Sequence, residues 1–327
     1  MKIKKDGLEK ADLKSREKKY AITDCIPSFF DYWSYMYFCG AAFSGPWYEF
    51  RDFQKYMRGE SPYSKIPSTV KATLERIFHI VVLIGFSVLL AQYFDEKYYL
   101  TNDFKQTPFL EKVPIMIGTL FLMMSSYVTG FCFLECGVIA SGFSYNDEES
   151  IDSTTTPKHD KIKSVLIKGL LTSYRVKDFL ASWNISVHEW LKYYVYLRLL
   201  NNKKRGKGNT FAALASFMVS AIWHGFYPGF YCFFTGAFIM DYWNKLAATT
   251  VGPYFGWFPE HLQNIGCTVI YYIGCAYFAI GFVLLNFCDF HPVYMSMGYG
   301  VHVFFVGTIP LLHLLNRKPG KLHSKRD

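Results

Sequence analysis

Long apolar runs alternating with basic stretches organise this chain. Runs approaching the roughly 20 residues that a membrane span needs lie at 77–94, 113–143, 208–240, 264–288 and 292–315. A weaker run at 27–46 is interrupted by Asp31 and ends in Ser-Gly-Pro, which predicts a segment that re-enters or lies along the interface. The expected fold is all-α, a polytopic membrane protein with interfacial helices. Residues 1–27 read as a cytosolic segment, 28–315 as the membrane core and 316–327 as the basic tail of a single membrane domain. The acidic, polar stretch 145–157 reads as a loop.

The run 208–240 is too long for one pass. At about 1.5 Å per residue it would reach about 50 Å as one helix, against a hydrocarbon core of about 30 Å. Gly225, Pro228 and Gly229 predict a break, because proline lacks an N–H and glycine tolerates backbone angles that other residues avoid. Two short arms result, with His224 at the end of the first and deep in the bilayer. Lys and Arg concentrate at 1–20, 51–76, 158–177, 198–207 and 317–326, which assigns those stretches to the cytosolic side. The charge-balanced loop 95–112 is then lumenal. With 198–207 and the tail both cytosolic, 208–240 must leave and return to the same side.

Composition supports a membrane protein. Hydrophobic residues make up 51% of the chain and aromatic ones 19%, more than a soluble core uses; spans and their interfacial belts use both. The net charge of +9 sits beside apolar runs, with no nucleic-acid motif. It points instead to anionic headgroups or an anionic cytosolic substrate. The eight cysteines (Cys25, Cys39, Cys132, Cys136, Cys232, Cys267, Cys275 and Cys288) form no CxxC pair. Lying mostly in apolar runs, they are expected to be reduced, buried thiols. No signal peptide opens the chain, so an internal helix directs insertion or an upstream part is missing.

His224 is a titratable group in a run that carries no charge from Gly208 to Met240. Ionisable groups in spans are costly and face the protein interior or water. Stepping back by helical spacing gives Ser220, Ser216 and Ala213. Such a strip of small residues admits a close neighbouring helix or lines a polar tunnel towards the imidazole. The neutral ring is the cheaper form in apolar surroundings, and it suits general base catalysis. Glu135, late in 113–143, is either near the cytosolic interface or functional.

The stretch 181–199, "ASWNISVHEWLKYYVYLRL", reads as an interfacial helix. Ser186 and Glu189 have capping-box spacing, which starts the helix near Ser186. Val187, Trp190, Leu191 and Tyr194 then form one apolar face. Asn184 precedes the cap as a turn residue. It also opens an Asn-Ile-Ser sequon, which a cytosolic loop would leave unused. A zinc HExxH site is excluded because Lys192 stands where its second His belongs.

Together, "SWN…VHEWLKYYVYLRL" and "SAIWHGFYPGFY" resemble the membrane-bound O-acyltransferase (MBOAT) superfamily. The Trp-His-Gly-x-x-Pro-Gly-Tyr/Phe form is similar to its lysophospholipid acyltransferase branch. The stretch "GAAFSGPWYEFRDFQKYM" (40–57) resembles the Gly-Pro-x-x-Glu region of the plant and yeast type. The resemblance covers about 27–315 and implies an MBOAT-like helical bundle around a buried tunnel. It implies His224 as catalytic base and Asn184 as a second active-site residue, which holds the thioester or donates to the oxyanion. Trp183, Ser220, Trp223 and Glu135 are candidate substrate contacts. The implied reaction moves an acyl chain from acyl-CoA, a co-substrate, to a lysophospholipid hydroxyl in the endoplasmic reticulum membrane. It implies no other cofactor and no metal. Family members usually carry further helices before the region where this chain begins, so the chain reads as an N-terminally truncated member. Competing readings are an MBOAT enzyme for a sterol, diacylglycerol or protein acceptor, a transporter with a broken helix, and a non-catalytic truncated protein. Sterol and diacylglycerol branches commonly show Trp-His-Asp where this chain has Trp223-His224-Gly225.

Overall fold

The computed structural model describes residues 14–20, 26–38, 40, 45–147, 158–173, 176–201 and 208–316. Expected features at 1–13, Cys25, Cys39, 148–157, 202–207 and 317–327 lie outside them. Among the described residues the protein is all-α, with extended pairing confined to isolated bridges. The helices begin with α1 (14–20), α2 (Phe29–Met36), α3 (Phe50–Met57), α4 (Val70–Ala91) and α5 (Asn102–Gln106). Next come α6 (Phe109–Ala140), α7 (Ile167–Thr172), α8 (Val176–Leu180), α9 (Ile185–Trp190) and α10 (Leu197–Asn201). The chain closes with α11 (Gly208–His224), α12 (Pro228–Thr250), α13 (Glu260–Leu284), α14 (Phe287–Ser296) and α15 (Gly300–Leu315).

Among the described residues, three segments are long and apolar enough to cross a membrane, Val70–Leu100, Phe109–Ala140 and Glu260–Leu284, or four if the bent pair Phe287–Ser296 and Gly300–Leu315 is one span. Helix α4 has no buried residue and exposes Phe78, Val81, Val82 and Leu89 along its length. A continuous apolar surface of this kind marks contact with a membrane or a partner.

The run 208–240 breaks where expected, and the run 292–315 is interrupted as well. The run 208–240 divides after His224, where Gly225 adopts φ 130° and Pro228 opens α12. Helix α11 has 17 residues, about 25 Å, which falls short of a full crossing. Helix α12 runs beyond Met240 to Thr250 and takes in Asp241 and Lys245. The run 292–315 is not one straight pass either. Helices α14 and α15 meet at 76°, because Gly298 and Tyr299 adopt φ 57° and 52° between them. The loop 95–112 contains a 3-10 turn (Glu96–Leu100) and α5, capped by the side chains of Asp95 and Thr101.

The chain divides into two compact units. The first comprises Met1–Tyr93, Phe121–Thr172 and Phe179–Ser216. Its core gathers Phe53, Tyr63, Val138, Phe143 and Ile162, with Tyr35, Phe38, Tyr48 and Tyr56 packed against them. The aromatic-rich stretch 27–57 is therefore not spent only on an interface: Tyr35, Phe38, Tyr48, Phe53 and Tyr56 fold inward, whereas Phe29, Phe30, Tyr32, Trp33 and Tyr37 are exposed.

The second unit comprises Phe94–Leu120, Ser173–Asp178 and Phe217–Asp327. Here α12 and α13 run antiparallel through a seam of glycines. A Cβ on Gly229 would meet the Gly281 carbonyl, one on Gly236 the Phe278 ring, and one on Gly274 the Met240 thioether. Positions 229, 236 and 240 share one helical face, so each missing side chain lets the backbones approach. The buried Tyr294 hydroxyl ties α14 to this seam. It accepts from the Gly281 N–H at 3.1 Å and lies 3.3 Å from the Tyr277 and Phe278 carbonyls. Tyr294→Phe is expected to lower stability by about 1 kcal/mol, read as a lower melting temperature in detergent; an unchanged melt would show that the hydroxyl adds nothing.

His302 is half-buried and bonded to Tyr277 (2.8 Å), His313 is exposed and bonded to Tyr242 (2.9 Å), and His291 stacks on Phe287. The expected burial of the cysteines holds only in part: Cys132 is buried, whereas Cys267 and Cys288 are exposed. An apolar run in a membrane protein has a lipid-facing side, and thiols occur on it as well.

Candidate active site

Of the expected site residues, Glu135, Trp183 and Asn184 fall in the first unit, and Ser220, Trp223 and His224 in the second. Ser220, Trp223 and His224 occupy the last turns of α11. The break follows His224 directly because Gly225 reaches a φ that L side chains rarely adopt, and Pro228 has no N–H to donate backwards. Helix α12 is anchored at once by the Gly229 N–H, which donates to the Leu285 carbonyl at 2.8 Å.

This geometry gives His224 one aromatic wall. Its ring lies 5.1 Å from Phe234, 5.3 Å from Phe282 and 5.4 Å from Phe230. The remainder is exposed, as are Trp223 (56%) and Phe226 (84%) beside it. The imidazole is therefore walled by rings on one side and uncovered by protein on the other. The arrangement suits a base that becomes cationic in a transition state. The carbonyl end of α11 favours positive charge, and aromatic faces attract a cation within about 6 Å. The small strip of Ala213, Ser216 and Ser220 is half-buried and lies beside the buried line of α11, where Ala212 and Ala221 are fully buried.

Asn184 takes a left-handed conformation (φ 43°, ψ 54°) and opens α9. Asn tolerates this region better than most residues. Its carbonyl accepts from the His188 N–H at 2.8 Å, but its side chain makes no capping bond. The predicted capping box does not form. Helix α9 starts at Ile185, and the buried Ser186 hydroxyl accepts instead from the Trp47 N–H at 3.2 Å. The predicted stripe through Tyr194 is also displaced, because 191–196 widens into a π-helix. Burial, with Lys192 adding to it, holds His188 below the usual imidazole range.

Trp183 stacks on Phe179 at 5.5 Å and meets Phe131 edge-on at 5.3 Å, with Tyr127 at 6.1 Å. Glu135 is fully buried, ion-paired to Arg76 at 2.8 Å and bonded to the Ser164 and Val165 N–H groups.

Other residues of the two units were not singled out from the sequence as site residues. Glu49 of the Gly-Pro-x-x-Glu stretch is buried, accepts from the Tyr194 hydroxyl at 2.9 Å and pairs with Arg16 at 3.2 Å. Burial pushes its carboxyl up, against the Tyr194 and Arg16 contacts that pull it down. The Tyr194 hydroxyl is pushed up to about 12, by burial first and then by Glu49. With Arg198 over the Tyr194 ring, these groups line a cleft of about 250 Å³. Phe230 and Phe234 are traceable to their i,i+4 spacing after Pro228. Phe282 comes from α13 and is not.

Known proteins share these segments. A model of the membrane-bound O-acyltransferase family matches residues 13–287. Lysophospholipid acyltransferase 1 of Arabidopsis thaliana is 27% identical over 336 residues, covering 99% of this chain and 70% of that protein. The lysophospholipid acyltransferase of Schizosaccharomyces pombe is 26% identical, covering 98% of this chain and 65% of its own length. Human lysophospholipid acyltransferase 5 is 26% identical, with 95% and 64% covered. The chain thus spans about two thirds of the length of these relatives.

Proposed function

We propose, because the chain belongs to the membrane-bound O-acyltransferase family, that it transfers an acyl chain from acyl-CoA to the free hydroxyl of a lysophospholipid. The observation that carries this is His224, in Trp-His-Gly-x-x-Pro-Gly, at a helix end beside an aromatic wall and otherwise open. The names of the relatives support a lysophospholipid acceptor.

In this mechanism the lysophospholipid hydroxyl oxygen attacks the thioester carbonyl while the His224 ring nitrogen takes its proton. The C–S bond then breaks, the ester forms, and the CoA sulfur leaves with a proton returned to it. Developing charge on the carbonyl oxygen needs a donor, a role open to the Asn184 amide, which makes no bond to the helix end it opens. Holding the thioester is the alternative role for the same amide. Trp183, Ser220 and Trp223 are proposed substrate contacts. Residues 1–327 act as one MBOAT-type domain in the endoplasmic reticulum membrane, with no cofactor beyond the co-substrate.

The test is acyl transfer by microsomes expressing the full chain, supplied with labelled acyl-CoA and separate lysophospholipid, diacylglycerol and sterol acceptors. Labelled phospholipid is expected from the lysophospholipids, at rates well above those of microsomes without the chain. Label appearing only in diacylglycerol or sterol products would reassign the acceptor, and transfer to none would remove the activity.

A further inference from the structure

The proposed chemistry leaves Glu135 without a part, although a fully buried carboxylate late in a span is costly. Its Oε2 faces the Arg76 guanidinium of α4 at 2.8 Å, and Arg76 also reaches the Cys132 sulfur at 3.6 Å. Its Oε1 accepts from the Ser164 N–H and, at 2.9 Å, from the Val165 N–H. Those peptides belong to a segment that pairs with the residues around Asn184. The Ile185 N–H donates to the Ser164 carbonyl at 2.8 Å, and the Leu166 N–H to the Ser182 carbonyl at 3.0 Å. Val165 and Trp183 form an antiparallel bridge between these bonds.

A continuous set of bonds therefore runs from Arg76 through Glu135 and 164–166 to the two flanks of Asn184. The ion pair alone is a poor explanation for this carboxylate, because a packed apolar pair serves stability as well or better. What an apolar residue lacks is an oxygen aimed at two adjacent N–H groups. Asn184 needs such support, since its left-handed backbone persists only where neighbouring structure fixes it.

We propose that Glu135 is a positioning residue for Asn184, fixing through Ser164 and Val165 the backbone that presents the Asn184 amide. Its catalytic consequence rests on Asn184 being the active-site amide proposed above. Glu135 touches no substrate on this account; it sets where another group's amide stands.

The test is a double-mutant cycle in the full chain. Glu135→Gln is expected to lower kcat at least about tenfold while leaving KM for both substrates within about threefold. On an Asn184→Ala background the same change is expected to cost less than about twofold. Losses that multiply, or wild-type kcat in Glu135→Gln, overturn the inference alone. Wild-type kcat in Asn184→Ala removes the active-site role of Asn184 and this inference with it. Backbone hydrogen exchange over 182–185 reads the same support without turnover, and Glu135→Gln should accelerate it at least about tenfold. Unchanged exchange overturns the inference even if the wild type shows no acyl transfer; in that case faster exchange upholds the structural step and the functional reading alone fails. Should Glu135→Gln not accumulate, Glu135→Asp keeps the charge beside Arg76 but draws the oxygen back from both N–H groups, and is held to the same outcomes.

Discussion

Replacing His224 with alanine is expected to lower acyl transfer to a lysophospholipid by about 10²–10⁴-fold, the range over which a general base contributes. The loss should fall on kcat, because the imidazole acts on a proton that moves only in the transition state. Folding should be little affected. The ring is exposed at a helix terminus, so its removal opens no buried cavity. The melting temperature and the yield of folded protein in detergent are the controls. The pH dependence gives a second reading. A base works only when unprotonated, so the wild-type rate at low substrate rises with pH as the imidazole loses its proton, and the variant lacks that limb. Full transfer by His224→Ala, in protein that melts like wild type, would remove His224 from the chemistry and with it the reason to read the α11–α12 break as a site.

What could be read from the chain divides by how local its cause is. The break after His224 was legible because Gly225 and Pro228 act on the backbone where they stand. The bend before α15 has the same origin, but its signal is Gly298 beside Tyr299, and a tyrosine at positive φ has no recognisable pattern. Ser186 and Glu189 look like a cap, yet the start of α9 is set by Asn184 and by bonds to Ser164, which lies 21 positions from Ile185. Glu135 could be flagged as an isolated charge, but its partners at 164 and 165 are backbone N–H groups that every non-proline residue carries. The aromatic wall of His224 was half legible. Phe230 and Phe234 follow from helical spacing, whereas Phe282 depends on how α13 meets α12. Long-range approach is what sequence pattern encodes least.

That approach yields the second large effect. Gly229→Ala is expected to destabilise the protein by about 3 kcal/mol or more, at or beyond the upper end for overpacking. A Cβ at this position would lie 2.0 Å from the Gly281 carbonyl oxygen and 2.8 Å from the Leu285 Cα and carbonyl oxygen. All three are backbone atoms, so no rotamer change relieves the clash; α12 and α13 must separate or α12 must start elsewhere. Either movement lengthens the 2.8 Å bond from the Gly229 N–H to Leu285, whose own φ of 61° is held partly by that contact. Gly266→Ala, on α13, is the internal control, because nothing lies within 4 Å of its Cβ position. It should match or slightly exceed wild-type stability, since alanine is the better helix former. Thermal melting of the three proteins in detergent measures both changes, and a Gly229→Ala melt equal to wild type would rule out the close α12–α13 seam. Activity should follow in the same order. Phe230 sits one residue beyond Gly229 and Phe282 one beyond Gly281, so forcing these two backbones apart also parts the rings beside His224. On the proposed mechanism, the glycine after Pro228 bears on catalysis through distance alone, by letting two helices come close enough to put aromatic rings from both beside one imidazole.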